Sequence, residues 1–210
     1  GLVGSEMCIR DSDIVPGLTE CLVLWGTNPA PSDNSAFWQH IRAYAAGGGA
    51  LVVVDPRRTE AAAIADVWLP VRPGTDAVLA LGLLNVIIGE ELYDASFVDA
   101  WCSGFDELAR AVAPLAPEAV AVTCGVSADD IRRAARLFSG GRASALVSGR
   151  GIDQIGAAVA PTHRALCCLR AITGNVDKPG ACVLAEAPDF VSELAMEMSC
   201  LLYTSDAADE

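Results

Sequence analysis

The sequence predicts an α/β fold, an open and mainly parallel sheet with helices on both faces. Three observations carry that expectation. Short runs rich in valine, leucine and alanine, Cys21–Leu24, Ala50–Val54 and Ala143–Val147, are apolar apart from Ser144 instead of alternating. Strands covered on both faces read this way. Helix-like stretches of ten or more residues separate them, as parallel crossovers require. Polar loops, Trp25-Gly26-Thr27-Asn28-Pro29 and Asp55-Pro56-Arg57-Arg58-Thr59, close the first two runs, and Pro73-Gly74-Thr75-Asp76 follows the next apolar segment. Loops at the carboxyl ends of such strands are where nucleotides bind, so the architecture is expected to be Rossmann-like.

Each element has its own warrant. After Cys21–Leu24, a helix is expected over 35–46, capped by Asp33 or Asn34, and Gly47-Gly48-Gly49 stops it. Ala50–Val54 completes a βαβ unit, whose crossover is right-handed. A short helix over 59–65 leads to the edge-like Val67–Val71. Thr75 is placed to cap a helix over 76–88. That helix is apolar but too short to span a bilayer and ends at Gly89-Glu90-Glu91, so it reads as a core helix and not a membrane insertion. Acidic amphipathic helices follow at 95–101 and 105–113, then a helical turn at 117–122. Ser127-Ala128-Asp129-Asp130 resembles a capping box and opens a helix reaching Phe138. A last helix over 162–172 breaks at Thr173-Gly174-Asn175.

The ends of the chain need separate treatment. Cys200–Ser205 can be written in codons whose reverse complement, one frame along, encodes Met7-Cys8-Ile9-Arg10-Asp11. Inverted copies of one DNA element at both ends resemble a library-preparation transposon end. Segments 1–12 and 200–210 are therefore expected to be adapter-derived tails, with 13–147 a Rossmann-like region and 148–199 a return segment towards a neighbouring domain. The formal charge of −13 becomes about −9 without the tails, which carry one arginine and five acids. That balance excludes nucleic acid as a partner, since phosphates demand a basic face. The remaining cysteines, Cys21, Cys102, Cys124, Cys167, Cys168 and Cys182, lack metal-site or disulfide spacing and are expected to be small buried hydrophobes.

The loops supply the chemistry. Gly26 permits close approach of a phosphate to backbone N–H groups, with Thr27, Asn28 and Ser32 adding side-chain hydrogen bonds. Asp55 stands near the position where a dinucleotide fold holds a ribose hydroxyl. Arg57 or Arg58 can meet phosphate in a bidentate fork. Asp76 opens a helix, where the dipole favours a carboxylate. There it can accept paired hydrogen bonds from the N1–H and exocyclic amine of guanine, which adenine lacks. Each loop alone is common turn chemistry. The G-x-G-x-x-G fingerprint is missing, which disfavours an ordinary NAD site. His163, in Pro161-Thr162-His163-Arg164 at a helix start near Gln154, is the remaining candidate for proton chemistry, with capping or packing as the alternative. His40 reads as a surface residue.

Four ordered segments resemble the molybdopterin oxidoreductases of the dimethyl-sulfoxide-reductase type. They are Leu22–Pro29, Val53–Thr59, Ala65–Pro70 with Arg72–Ala77, and Ala171–Gly180. The resemblance implies part of a larger catalytic subunit that binds bis(molybdopterin guanine dinucleotide) with molybdenum or tungsten. It implies that Gly26, Thr27, Asn28 and Pro29 form the first dinucleotide loop, and Asp55, Pro56, Arg57 and Thr59 the second. Gly74, Thr75 and Asp76 match the guanine-end loop, while Arg150, Gly151 and Gln154 match a loop approaching the pterin. The family's metal ligand and iron–sulfur cysteines lie upstream of the first motif, so no residue here is assigned as redox catalyst. A 4Fe-4S cluster in that region, an iron–sulfur electron-transfer subunit and a small-molecule substrate are implied for the complete enzyme. Two alternatives stand beside it, a cofactor-free respiratory-complex relative and another α/β nucleotide-binding domain.

Overall fold

The computed structural model describes residues 14–32 and 37–183. The expected adapter tails, the Asp33 or Asn34 cap and the end of the return segment lie outside the described residues. Strands β1 (Cys21–Trp25), β2 (Ala50–Val54), β3 (Val67–Leu69) and β4 (Ser144–Ser148) form one sheet in the order β3-β2-β1-β4. Every pairing is parallel, with Leu22 opposite Leu51 on one side and Ala145 on the other. The chain moves outward from β1 through β2 to β3, then returns beside β1 as β4. That reversal makes the β1–β4 boundary a topological switch point, with a crevice at the strands' carboxyl ends.

The largely apolar character of the strands follows from their place between two helical layers. Cys21, Val23 and Trp25 face one layer, packing in a core with Leu79, Ile131 and Leu166. Leu22 and Leu24 face the other, with Ile41 and Ala61. The first layer holds α4 (Asp76–Gly89), α7 (Pro117–Cys124), α8 (Ala128–Ser139) and α10 (Val159–Ile172). The second holds α2 (Phe37–Ala46) and α3 (Glu60–Ile64). Helix α4 touches α7, α8, α10 and α6 (Phe105–Val112), which explains why it is apolar nearly all round. Each fully buried leucine on it, such as Leu79 or Leu84, contributes roughly 1.5–3 kcal/mol. At Gly82 a Cβ would stand 2.9 Å from the Val120 side chain, so glycine sets how closely α4 and α7 approach. No helix among the described residues is long and apolar enough to cross a membrane.

Several local expectations are corrected. Thr75 does not cap α4 with its side chain; its hydroxyl donates instead to the Arg72 carbonyl at 2.7 Å. The helical turn expected at 117–122 is the full helix α7, with Pro117 at its start. A short helix, α1 (Pro29–Ser32), precedes α2, and α5 (Ala95–Trp101) is as expected. After β4 come α9 (Arg150–Asp153) and a 3-10 turn, and α10 begins at Val159, earlier than expected. Among the described cysteines Cys21 and Cys124 are buried, Cys102, Cys168 and Cys182 half-buried and Cys167 exposed, so burial holds for two of the six. Burial pushes the Cys21 thiol up to about 12.

The amino edge of the sheet is closely tied. Asn175 accepts from the Ser144 N–H at 2.9 Å, and Asp66 accepts from the Leu51 N–H at 2.8 Å. Glu20 accepts from the Arg142 guanidinium at 2.7 Å, and its carbonyl accepts from the Ala50 N–H at 3.2 Å. The Thr19 hydroxyl donates to the Gly180 carbonyl at 2.8 Å. Thus the Thr173-Gly174-Asn175 break, with Gly174 at φ +63°, brings the chain back to seal the start of β4.

Candidate functional site

Three loops meet at the carboxyl edge. The first turns at Gly26, whose φ is +61° and whose N–H donates to the Val54 carbonyl at 2.8 Å. The loop after β4 is strapped against it. Gly149 N–H donates to Trp25 C=O at 2.9 Å, and Gly151 N–H to Gly26 C=O at 3.1 Å. A Cβ at Gly149 would lie 2.4 Å from Thr27 Cβ and 2.6 Å from the Gly26 oxygen. At Gly151 it would lie 2.7 Å from that same oxygen. Backbone cannot yield cheaply at such distances, so the contact requires glycine at both positions.

The second loop is organised by Asp55, which is buried at 5% exposure. Its carboxylate accepts the Arg57 N–H at 2.8 Å, and its carbonyl accepts the Trp68 indole N–H at 2.9 Å. The Arg57 side chain is 77% exposed, which leaves its guanidinium able to reach an anion. Thr59 is the N-cap of α3, accepting from the Ala62 N–H at 3.1 Å. In the third loop Gly74 takes a φ of +85° and is exposed. Asp76 follows at the head of α4, only 5% exposed, and its Oδ1 accepts the Trp25 indole N–H at 2.9 Å.

Gly26, Asn28, Asp55, Pro56, Arg57, Asp76 and Gly151 share one cleft of about 290 Å³. Val54, Val71, Pro73, Ile152 and Ile155 complete its apolar wall. Asn28 donates to Glu60 at 3.0 Å, a hydrogen bond that holds the Glu60 carboxyl below its ordinary range. Thr27, Pro29, Arg58, Thr59, Gly74, Thr75, Arg150 and Gln154 are near in sequence but do not line the cleft. Ser32 closes α1. His163 is also elsewhere: it lies within α10, not at its start, and pairs with Asp153 at 2.7 Å on the surface. His40 is exposed, as expected. Among the described residues no three metal-ligating side chains cluster.

Trp25, Gly149, Ile152 and Ile155 were not singled out as site residues. Gly149 was visible in Ser148-Gly149-Arg150-Gly151, a glycine pair after a strand. The isoleucines carry no local signal of a cleft wall. A larger hollow, about 600 Å³, lies at the opposite edge among Ile14, Tyr44 and Gly47-Gly48-Gly49. Size would favour it, but the acids and glycine turns at strand ends are in the smaller cleft.

The fold and site thus define an α/β domain with a parallel sheet and with acids and glycines gathered at its switch point. The profile of the molybdopterin oxidoreductase family matches residues 18–199, and the chain belongs to that family. It is 40% identical over 157 residues to acetylene hydratase of Syntrophotalea acetylenica, covering 75% of this chain and 21% of that protein. It is 34% identical over 185 residues to formate dehydrogenase H of Escherichia coli K12, covering 81% of this chain and 26% of that protein. The solved structure of acetylene hydratase from Pelobacter acetylenicus superposes with a TM-score of 0.72 at 38% identity, covering 78% of this chain and 22% of that one. The chain thus spans about a quarter or less of these relatives' lengths.

Proposed function

We propose that this segment holds the guanine dinucleotide part of a bis(molybdopterin guanine dinucleotide) group in the catalytic subunit of a molybdenum or tungsten oxidoreductase. One observation carries the reading. The Asp76 carboxylate is buried in the wall of a cleft at the sheet's carboxyl edge, beside Gly26 and Asp55. A buried carboxylate needs strong donors, and the indole N–H supplies one. A carboxylate offers about four acceptor directions. Capacity therefore remains for the N1–H and 2-amine of guanine. Gly26 and Gly151 let a sugar–phosphate approach the backbone, and the exposed Arg57 guanidinium suits phosphate. The cleft's volume is near the lower limit for ligand pockets, roughly 300–1,000 Å³.

When bound, the metal group supplies two-electron chemistry, while these residues bind and orient its nucleotide end. A small-molecule substrate, an iron–sulfur electron-transfer subunit and an upstream 4Fe-4S cluster belong to the same proposal. A second reading of the reaction, hydration without net redox, is favoured by the 40% identity to acetylene hydratase. The convergence of Asp55, Arg57 and Asp76 on one cleft supports a working cofactor site over a cofactor-free relative. The test is an Asp76→Asn substitution in the complete enzyme, with acid-released GMP measured per enzyme. We expect GMP content to fall at least several-fold. Full retention would overturn the guanine assignment.

A further inference from the structure

We propose that Trp25 sets the cleft's preference for guanine by fixing the orientation of the Asp76 carboxylate. This rests on reading the cleft as a guanine site. Trp25 ends β1, is fully buried, and aims its indole N–H at Asp76 Oδ1 across 2.9 Å. It is also held by its own backbone, since its carbonyl accepts the Gly149 N–H at 2.9 Å. The donor is therefore part of the rigid sheet, whereas the acceptor starts a helix.

The final torsion of an aspartate side chain is broad and roughly two-fold. Guanine presents two donors side by side, which match a carboxylate only when both oxygens lie in the base plane. A freely turning carboxylate must be ordered on binding, and that ordering weakens affinity. The indole N–H orders it beforehand. It occupies one acceptor direction of Oδ1 and leaves Oδ2 and the other direction of Oδ1. Hypoxanthine presents only one of the two donors and adenine neither. Trp25 should then matter more for guanine than for hypoxanthine. If the bond merely tied α4 to β1, losing it would affect every nucleotide alike.

The experiment uses the complete enzyme prepared without its metal cofactor and titrated calorimetrically with GMP, IMP and AMP. Two changes at position 25 remove the donor: Trp25→Phe, and replacement by the benzothiophene isostere of tryptophan. The isostere keeps ring size, so it reads the donor even if the phenylalanine variant folds poorly. We expect GMP to weaken about tenfold, the scale of one hydrogen bond to a charged group. The GMP-to-IMP preference should fall from about tenfold to within about twofold. If the isostere keeps that preference while Asp76→Ala abolishes it, the role of Trp25 is overturned and the guanine cleft stands. If Asp76→Ala leaves GMP binding unchanged, the cleft reading fails, and this inference with it.

Discussion

The two edges of this sheet are built from similar residues in different surroundings. At the amino edge the polar groups are consumed by the fold: Glu20 by Arg142, Asp66 by Leu51, and Asn175 by Ser144. At the carboxyl edge Asp55 and Asp76 are buried like Asn175, yet both line a cleft. The amino edge holds the larger hollow, about 600 Å³, whose wall carries Thr19, Glu20 and His40 beside a glycine triplet, with Glu20 bonded to Arg142 and Thr19 to Gly180. The difference teaches that two cavities of one sheet can be told apart by whether their buried acids line the space, and not by their volumes alone.

The largest expected effect comes from the carboxyl edge. Gly149→Val would drive a side chain into Thr27 and the Gly26 carbonyl. It should lower stability by about 3 kcal/mol, the scale of overpacking. Calorimetry and released GMP should both register the loss in the complete enzyme. A variant keeping both would show that the two loops part easily, contrary to the glycine contact. Next is Asn175→Ala at the amino edge, which strands the buried Ser144 N–H. A loss of about 2 kcal/mol is expected with GMP content unchanged. A fall in GMP without a fall in stability would erase the contrast between the edges.

Thr59→Ala removes a helix cap and should cost about 1 kcal/mol. GMP content should again hold; if it drops while stability does not, Thr59 is a cofactor contact after all. The smallest effect is a pH dependence at the amino edge. The Arg142 hydrogen bond holds the exposed Glu20 carboxyl below the ordinary 4.5. A lowered folded value means the contribution is present above that ordinary value and lost as pH falls through the lowered one. Glu20→Gln should therefore unfold at a slightly lower temperature near neutral pH and match wild type in acid. A gap persisting undiminished into strong acid would contradict this account.

Much of the fold was legible because its signals are local. Ala50–Val54 is an unbroken apolar run, and the Gly47-Gly48-Gly49 stop before it needs no distant information. The sheet order and the site's membership are another matter. Asp76 could be recognised as a helix-start acid, but its partner Trp25 is fifty-one positions away and joined only by the fold. Ile152 and Ile155 form a wall of the cleft because α9 turns there, which no local pattern announces. Thr75 failed as a cap because its hydroxyl found the nearer Arg72 carbonyl, a competition common for threonine in turns. Thr59, predicted as a cofactor contact, shows the reverse ambiguity, since its oxygen serves the helix.

The glycine contact has a consequence for how the molecule comes into being. β1 pairs with β4, so Cys21 finds its neighbour at Ser144, whereas its other neighbour, Ala50, is far closer along the chain. Closing so long a loop is slow compared with forming local contacts. The cleft wall supplied by Gly151 exists only after that closure. On a ribosome, β1, β2 and β3 can assemble while the cleft is still open on one side. Any group held between Gly26 and Gly151 would therefore wait for β4 to dock, so the strand made latest among the described residues completes the cleft.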